Sequence, residues 1–360
     1  MLMKKCEYRS HRGGECKEVA LPDSNYCMLH IDLPEDENSD EFERIKKLKD
    51  QKVKEKVNES DFNFEGAKLV AIDFSKMNIE DTLNFADSII RESAKFEGTT
   101  IRGFAFFPGA IIKNVEFRGA TIEKSAIFEG AIIAEDVDFT GATIEGSAMF
   151  TGAKIKNAWF SGVTIKKDAV FYWATIDRCA MFTHSNINFL TFEKAKFKDI
   201  RGEEESCRTA RIILEKSGNR DLADYHFYRE MVAKRKQGVD PLTRRWKTPV
   251  MSFFEWMIAD LTCKYGTDYL RPILLWTIVV LIAFPIIYHL GGGIENAKSF
   301  LDSLYFSIVT ATTLGYGDLR PSSVVLLNIP VFRMLASIEA IFGSFMWAAF
   351  IVIFARKFMR

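Results

Sequence analysis

The hydrophobic pattern of the chain is dominated by one large apolar residue at every fifth or sixth position from residue 61 to residue 199. Phenylalanine recurs every 10 or 11 residues, at positions 64, 74, 85, 96, 106, 117, 128, 139, 150, 160, 171, 182 and 192. An isoleucine or leucine lies about midway between successive phenylalanines. This period fits neither an α-helix, which repeats about every 3.6 residues, nor a strand, which alternates about every two. The pattern predicts a coil with four short sides, each pointing one large and one small residue inward.

This segment resembles the pentapeptide-repeat family, and the resemblance covers residues 62–199. It implies a right-handed quadrilateral β-solenoid of about six coils, with roughly 20–22 residues in each coil. Some members of the family mimic DNA, which requires a dense acidic stripe. Acidic and basic residues are nearly balanced in this segment, so DNA mimicry is disfavoured.

Two apolar runs near the C-terminal end are long enough to cross a membrane. Residues 272–290 hold no charged side chain, and residues 334–355 hold a single one, Glu339. A helix of the shorter length spans about 28 Å, close to the roughly 30 Å of a bilayer core. Lysine and arginine are denser before the first run and after the second than between them. The positive-inside rule then predicts a multi-pass protein of the cell membrane with both termini in the cytoplasm.

The segment between the two runs contains the sequence TATTLGYGD at residues 310–318. A dehydrated potassium ion needs oxygen ligands in place of its water, and an extended Thr-x-Gly-Tyr-Gly strand supplies rows of backbone carbonyls. Glycine permits the backbone angles at which successive carbonyls face one axis. Together with SLYFSIV at residues 303–309, the sequence resembles the signature of two-span potassium channels.

This resemblance implies a homotetramer in which four copies of the signature line one pore. Its coordinating positions correspond to Thr313, Leu314, Gly315, Tyr316 and Gly317. Its filter-supporting positions correspond to Asp318, Tyr305 and Phe306. Leu314 stands where family filters usually have Val or Ile, and only its carbonyl would bind the ion. Residues 299–312 would form the pore helix, with the negative end of its dipole toward the ion.

Gly343 lies in the middle of the second apolar run. Channels of this kind often bend at such a glycine, which makes Gly343 a candidate gating hinge. Close packing against a neighbouring helix explains the same residue equally well. Glu339 is expected to pair near the pore helix, and Phe350 and Phe354 are candidates for an inner gate. No apolar helix carries an arginine at every third position, so a voltage sensor is not expected.

Three cysteines and a histidine are concentrated near the N-terminus: Cys6, Cys16, Cys27 and His30. Three thiolates and one imidazole complete a tetrahedral set for structural Zn²⁺ and leave no open position for catalysis. A polar segment of this size cannot fold around an apolar core, so a metal would account for its order. The segment resembles a small Cys/His zinc module found beside such repeats. Free cysteines in a disordered tail are the alternative.

Changes of composition divide the chain into five segments. They are a zinc module at 1–34, a charged linker at 35–61, the solenoid at 62–199, a helical linker at 200–268 and a pore domain at 269–360. The helical linker is predicted to contain two helices broken at residues 217–219, then an amphipathic helix on the inner leaflet. Lys plus Arg and Asp plus Glu number 48 each, and the zero net charge argues against a nucleic-acid partner.

The sequence contains no recognisable acid–base pair, nucleophile constellation or phosphate loop, so the protein is expected not to be an enzyme. The favoured function is a potassium-selective channel subunit that carries K⁺ passively through a lipid membrane. Its cytoplasmic solenoid would have a regulatory or scaffolding role toward an unidentified ligand or protein. Two alternatives stay open: a membrane-anchored scaffold or nucleic-acid-mimic module with a non-conducting anchor, and a zinc or redox sensor that gates the pore.

Overall fold

The computed structural model describes residues 4–10, 13–238, 248–315, 317–326 and 329–358. The chain divides into two compact units, Met1–Gln237 and Gly238–Arg360. Each unit is described by itself.

The repeat forms the predicted β-solenoid of about six turns. Its strands, β1 to β19 in chain order, are Lys68–Leu69, Ile72–Asp73, Asn78–Ile79, Leu83–Asn84, Ile89–Lys95, Thr100–Ile101, Ala105–Phe106, Ile111–Glu116, Thr121–Ile122, Ala126–Ile127, Ile132–Asp138, Thr143–Ile144, Ala148–Met149, Lys154–Trp159, Thr164–Val170, Thr175–Ile176, Ala180–Met181, Asn186–Thr191 and Lys196–Phe197. They pair in parallel, in one sheet of nine strands and one of ten. Each sheet covers two adjacent sides of the coil, because β1 and β2 belong to the first sheet and β3 and β4 to the second.

Two columns of phenylalanine rings fill the centre of the solenoid. One column consists of Phe64, Phe85, Phe107, Phe128, Phe150, Phe171 and Phe192, and the other of Phe74, Phe96, Phe117, Phe139, Phe160 and Phe182. In most successive pairs the rings are stacked with centroids 4.6–5.2 Å apart. The period of five or six residues is therefore the spacing of side chains that enter one shared core.

The prediction that Phe106 belongs to the regular series of core phenylalanines is wrong by a single residue. Phe107 is fully buried in the column, whereas Phe106 is only half-buried and pairs with Ile127 on the next strand. Because neighbouring residues of a strand point to opposite sides, only one of two consecutive phenylalanines can enter the core. Because Phe106 is the residue that pairs with Ile127, the side chain that enters the core is that of Phe107.

The N-terminal end of the solenoid is covered by the cysteine-containing segment and by a helix, α1 (Asp40–Asn58). Ser39 caps this helix by accepting a hydrogen bond from the Phe42 N–H. Lys49 of α1 is 1% exposed, and its ammonium donates to the carbonyls of Met28 at 2.8 Å and Ile31 at 2.9 Å. The charged linker thus supplies a cation that holds the backbone on both sides of His30.

The C-terminal end of the solenoid is covered by two helices, α2 (Ile200–Lys216) and α3 (Arg220–Gln237). The Ser206 hydroxyl of α2 donates to the Ala180 carbonyl at 3.2 Å. The carboxylate of Glu230 on α3 is buried and pairs with three cations: Arg208, Arg211 and Lys234. The buried face of α3 is therefore partly polar.

His226 of α3 is fully buried and accepts a hydrogen bond from the Phe192 N–H at its Nε2 atom, 3.3 Å away. Burial, reinforced by the Arg229 guanidinium, lowers the pKa of His226 to about 3. Because the unfolded chain takes up this proton near pH 6.5, His226 is expected to destabilise the first unit as the pH falls from about 6.5 to 3. The loss is at most about 1.4 kcal/mol per pH unit.

Urea unfolding of the protein at a series of pH values measures this dependence. His226→Gln keeps a hydrogen-bond acceptor without a titrating group, so its stability should fall less steeply over the same range. An equal slope in the two proteins would contradict the assignment to His226.

The described residues of the second unit form four helices. They are α4 (Pro249–Glu255), α5 (Leu270–Leu290), α6 (Phe300–Ala311) and α7 (Val331–Phe358). A π-helical turn, Trp256–Leu261, continues α4, and a 3₁₀ turn, Lys264–Gly266, precedes α5. Four short strands complete the unit: β20 (Ile294–Glu295) pairs with β21 (Arg320–Pro321), and β22 (Val325–Leu326) with β23 (Ile329–Pro330).

Two of these helices, α5 and α7, are long and apolar enough to cross a membrane. They contain the two apolar runs of the sequence. Within α5 the segment Val279–Ala283 is π-helical and ends two residues before Pro285. Together, α4 and the π-helical turn after it expose many large apolar side chains: Val250, Met251, Phe253, Phe254, Trp256, Ile258 and Leu261.

Candidate functional site

The helix α6 is a separate apolar element between the two long helices. Ser299 and Asp302 form a capping box at its start, and Thr312 is its C-cap. The predicted pore helix, 299–312, thus corresponds to α6 with its two capping residues. One face of α6 is buried by the long helices: Phe306 lies edge-on to Tyr288 of α5, with ring centroids 5.1 Å apart.

The segment after α6 has a left-handed backbone at three of its described residues. Positive φ angles recur at every second residue, with 59° at Thr313, 53° at Gly315 and 74° at Gly317. In a regular strand the carbonyl groups of successive residues point to opposite sides. Where residues of left-handed conformation are interspersed along the chain, successive carbonyl groups turn toward the same side. This backbone therefore suits a row of oxygens directed at one axis.

Two hydrogen bonds tie the start of this segment to the end of α6. The N–H of Thr313 donates to the Thr310 carbonyl at 3.1 Å, and the N–H of Leu314 donates to the Val309 carbonyl at 3.0 Å. The Thr313 hydroxyl donates to the Thr312 carbonyl at 2.7 Å, which leaves its lone pairs available to a cation.

The predicted filter residues that the structure describes are exposed in the single chain: Thr313, Leu314, Gly315, Gly317 and Asp318. Tyr316, the remaining predicted filter residue, lies outside the described residues. Of the two aromatic residues predicted to support the filter, Tyr305 is 38% exposed, whereas Phe306 belongs to the cluster formed with Tyr288 and Phe332.

Gly343 of α7 lies against the end of α6. A Cβ atom at this position would be 2.2 Å from the Ala311 carbonyl oxygen, far inside van der Waals contact. The helix α7 runs without interruption from Val331 to Phe358. Close helix packing, one of the two interpretations of this glycine, accounts for both observations.

Replacing Gly343 with alanine is expected to destabilise the second unit by about 1–3 kcal/mol, because the added methyl group meets backbone that cannot rotate away. Thermal unfolding of the purified protein in detergent is the measurement. Ser344→Ala, at the exposed neighbouring position, is the matched control. If Gly343 serves only as a hinge, both variants should be as stable as the unchanged protein, since alanine favours a helix.

The second candidate site is the cluster of Cys6, Cys16, Cys27 and His30. Their sulfur and nitrogen atoms all lie within 4.8 Å of one another. The Cys27 Sγ and His30 Nδ1 atoms are 3.2 Å apart, and the Cys16 and Cys27 Sγ atoms are 3.9 Å apart. A tetrahedral Zn²⁺, with ligand bonds of about 2.0–2.3 Å, places its donors roughly 3.5–3.8 Å apart. The four residues therefore fit a metal of this kind.

The orientation of His30 is set by groups outside the cluster. Its Nε2 atom lies 2.8 Å from the Glu65 carbonyl, which can only accept, so Nε2 carries the proton and Nδ1 is free to ligate. Tyr8 stacks on the imidazole with ring centroids 4.1 Å apart. The Cys27 N–H donates to the Cys6 sulfur at 3.2 Å, as expected for a sulfur that carries negative charge.

Two known families match parts of the chain. A family model described as an ion channel matches residues 275–360, and a model described as pentapeptide repeats in nine copies matches residues 107–154. No curated protein and no solved structure gives a significant match. The matches agree with both resemblances: residues 275–360 of the second unit are similar to an ion-channel family, and residues 107–154 of the solenoid to pentapeptide repeats.

Proposed function

We propose that the protein is one subunit of a homotetrameric, potassium-selective channel that conducts K⁺ passively across the cell membrane. The observation that carries the proposal is the set of positive φ angles at Thr313, Gly315 and Gly317, just after a helix packed between two membrane-length helices. The ion-channel family match to residues 275–360 supports it. The ligands of the ion would be the carbonyls of the predicted filter residues, with the Thr313 hydroxyl at the inner end.

Four chains are needed because one chain supplies only one wall of such a pore. A potassium ion stripped of water needs oxygens on all sides, and one row of carbonyls leaves most of its surface bare. The described filter residues Thr313, Leu314, Gly315 and Gly317 are exposed in the single chain, which agrees with this requirement. Four α6 helices would also direct the negative ends of their dipoles at the ion.

The remaining segments fit a membrane-tethered cytoplasmic assembly. The module at 1–34 would hold a structural Zn²⁺, and the exposed apolar residues of α4 would contact lipid at the inner leaflet. With both termini in the cytoplasm, the solenoid would have a regulatory or scaffolding role, and the protein would catalyse no reaction. The domain boundaries proposed are those of the sequence analysis, including the pore domain at 269–360.

Ion flux into liposomes that contain the purified protein tests this function. K⁺ uptake should exceed Na⁺ uptake by at least about a hundredfold, since a filter built of carbonyls discriminates by replacing the hydration shell of one ion. Liposomes without protein give the leak rate. Equal uptake of K⁺ and Na⁺, or uptake equal to the leak, would refute the proposal.

A further inference from the structure

A carboxyl group is buried where α5, α6 and α7 meet. Glu339 of α7 is 0% exposed. Its Oε2 atom accepts a hydrogen bond from the Tyr288 hydroxyl of α5 at 2.8 Å, and its Oε1 atom is hydrogen-bonded to the Ser307 hydroxyl of α6. An ionised carboxylate without a cationic partner is energetically unfavourable when buried in this way. The protonation state of Glu339 therefore depends on which group donates in each hydrogen bond.

Ser307 has a second partner that needs its proton. Its hydroxyl lies 2.6 Å from the carbonyl of Val280, in the π-helical turn of α5. The two regular helical donors for that carbonyl are Phe284, whose N–H bonds the Val279 carbonyl instead, and Pro285, which has no N–H. The Val280 carbonyl therefore depends on Ser307, because a buried carbonyl without a donor is strongly unfavourable.

Counting the protons fixes the state of the carboxyl group. A serine hydroxyl has one hydrogen, and a carbonyl has none to give. If Ser307 donates to Val280, the bond between Ser307 and Glu339 needs a hydrogen from Glu339. The carboxyl then donates to Ser307 through one oxygen and accepts from Tyr288 through the other, and every polar atom of the group is satisfied.

We propose that Glu339 is held as a neutral carboxylic acid and acts as a positioning residue that fastens α6 to both membrane-length helices. One helical turn further along, Gly343 of α7 packs closely on the Ala311 backbone of α6, just as Glu339 of α7 is hydrogen-bonded to Ser307 of α6. The two contacts share a spacing of four residues on both helices, so they set the register of α7 on α6. This inference rests on the proposed function, since α6 is the helix that would carry the filter.

The protonation state can be read directly by infrared spectroscopy of the protein in lipid. The difference spectrum between the unchanged protein and Glu339→Gln should contain the carbonyl stretch of a protonated carboxyl group. Glu295→Gln, which removes an exposed glutamate of the same unit, should give carboxylate bands only. Carboxylate bands for Glu339 would overturn the inference.

The positioning role is tested by K⁺ flux. The amide of Glu339→Gln has a donor and an acceptor, like the neutral acid, so flux and K⁺ selectivity should stay within about twofold of the unchanged protein. Glu339→Leu and Ser307→Ala remove the bonds and should lower the flux about tenfold or more. Equal flux in Glu339→Gln and Glu339→Leu would overturn the role.

The two proposals fail in different ways. If the unchanged protein does not conduct K⁺, the proposed function fails, and the infrared band still decides the state of Glu339. If the protein conducts K⁺ selectively and Glu339 shows carboxylate bands, the inference alone fails.

Discussion

K⁺ flux through the reconstituted protein is expected to fall by at least about a hundredfold when Gly315 is replaced with alanine. Gly315 has a φ angle of 53°, in the left-handed region. A side chain there costs roughly 1–2 kcal/mol in each chain, and a tetramer repeats this cost four times around one filter. The strain is relieved by rotating the peptide groups, which removes carbonyl oxygens from the ion.

Gly292 provides a matched control for this variant. It has a φ angle of 59° and, like Gly315, has no atom within 4 Å of a Cβ placed on it. Gly292→Ala therefore introduces the same strain in the same unit without touching the proposed filter, and its flux should remain close to normal. Loss of flux in both variants would mean that general destabilisation, and not filter geometry, is responsible.

Replacing Cys27 with serine is expected to release the metal and unfold the N-terminal module. Structural zinc in small modules contributes about 10–16 kcal/mol of apparent binding free energy, which a polar segment of this size cannot replace. Metal analysis of the purified protein should find one zinc per chain, and less than about a tenth of that in Cys27→Ser. Limited proteolysis should then cleave residues 4–34 while sparing the solenoid.

Cys179→Ser is the control for this experiment, because Cys179 lies in the same unit but outside the metal-binding cluster. It should keep its zinc and its resistance to protease. Purified protein that contains no zinc, or Cys27→Ser protein that retains it, would contradict the assignment of the four ligands.

The sequence predicted the solenoid well because its signal is repeated in every coil. Each coil repeats the same inward-facing positions, so an error at one residue does not disturb the rest. The mistake at Phe106 shows the limit: two adjacent phenylalanines both fit the period, and only strand register selects Phe107. Periodicity defines the architecture, while register depends on pairing that distant residues decide.

Polar residues buried between elements were not predictable in the same way. Lys49 lies in the segment predicted as a charged linker, yet its side-chain nitrogen is buried against carbonyls around the Cys/His cluster. Glu230 is buried on α3 and pairs with Arg211 of α2. In both cases the partners are far away in the sequence, and no local pattern indicates them.

One feature of the sequence indicates the hydrogen-bonded contact between α5, α6 and Glu339. A proline in an apolar helix leaves a carbonyl without its usual donor, and Pro285 indicates that some side chain must supply one. The sequence gives neither the identity of that side chain, Ser307, nor the accompanying shift of α5 into a π-helical turn. Both result from packing among three helices.

The coverings at the two ends of the solenoid have a consequence for solubility. A parallel sheet would otherwise finish in open backbone edges, which can recruit further strands from other molecules and lead to fibres. At the first coil the Leu29 carbonyl accepts the Lys68 N–H, and at the last coils Ser206 occupies the Ala180 backbone groups. The cysteine-containing N-terminal segment and the α2–α3 hairpin are therefore also expected to prevent end-to-end polymerisation.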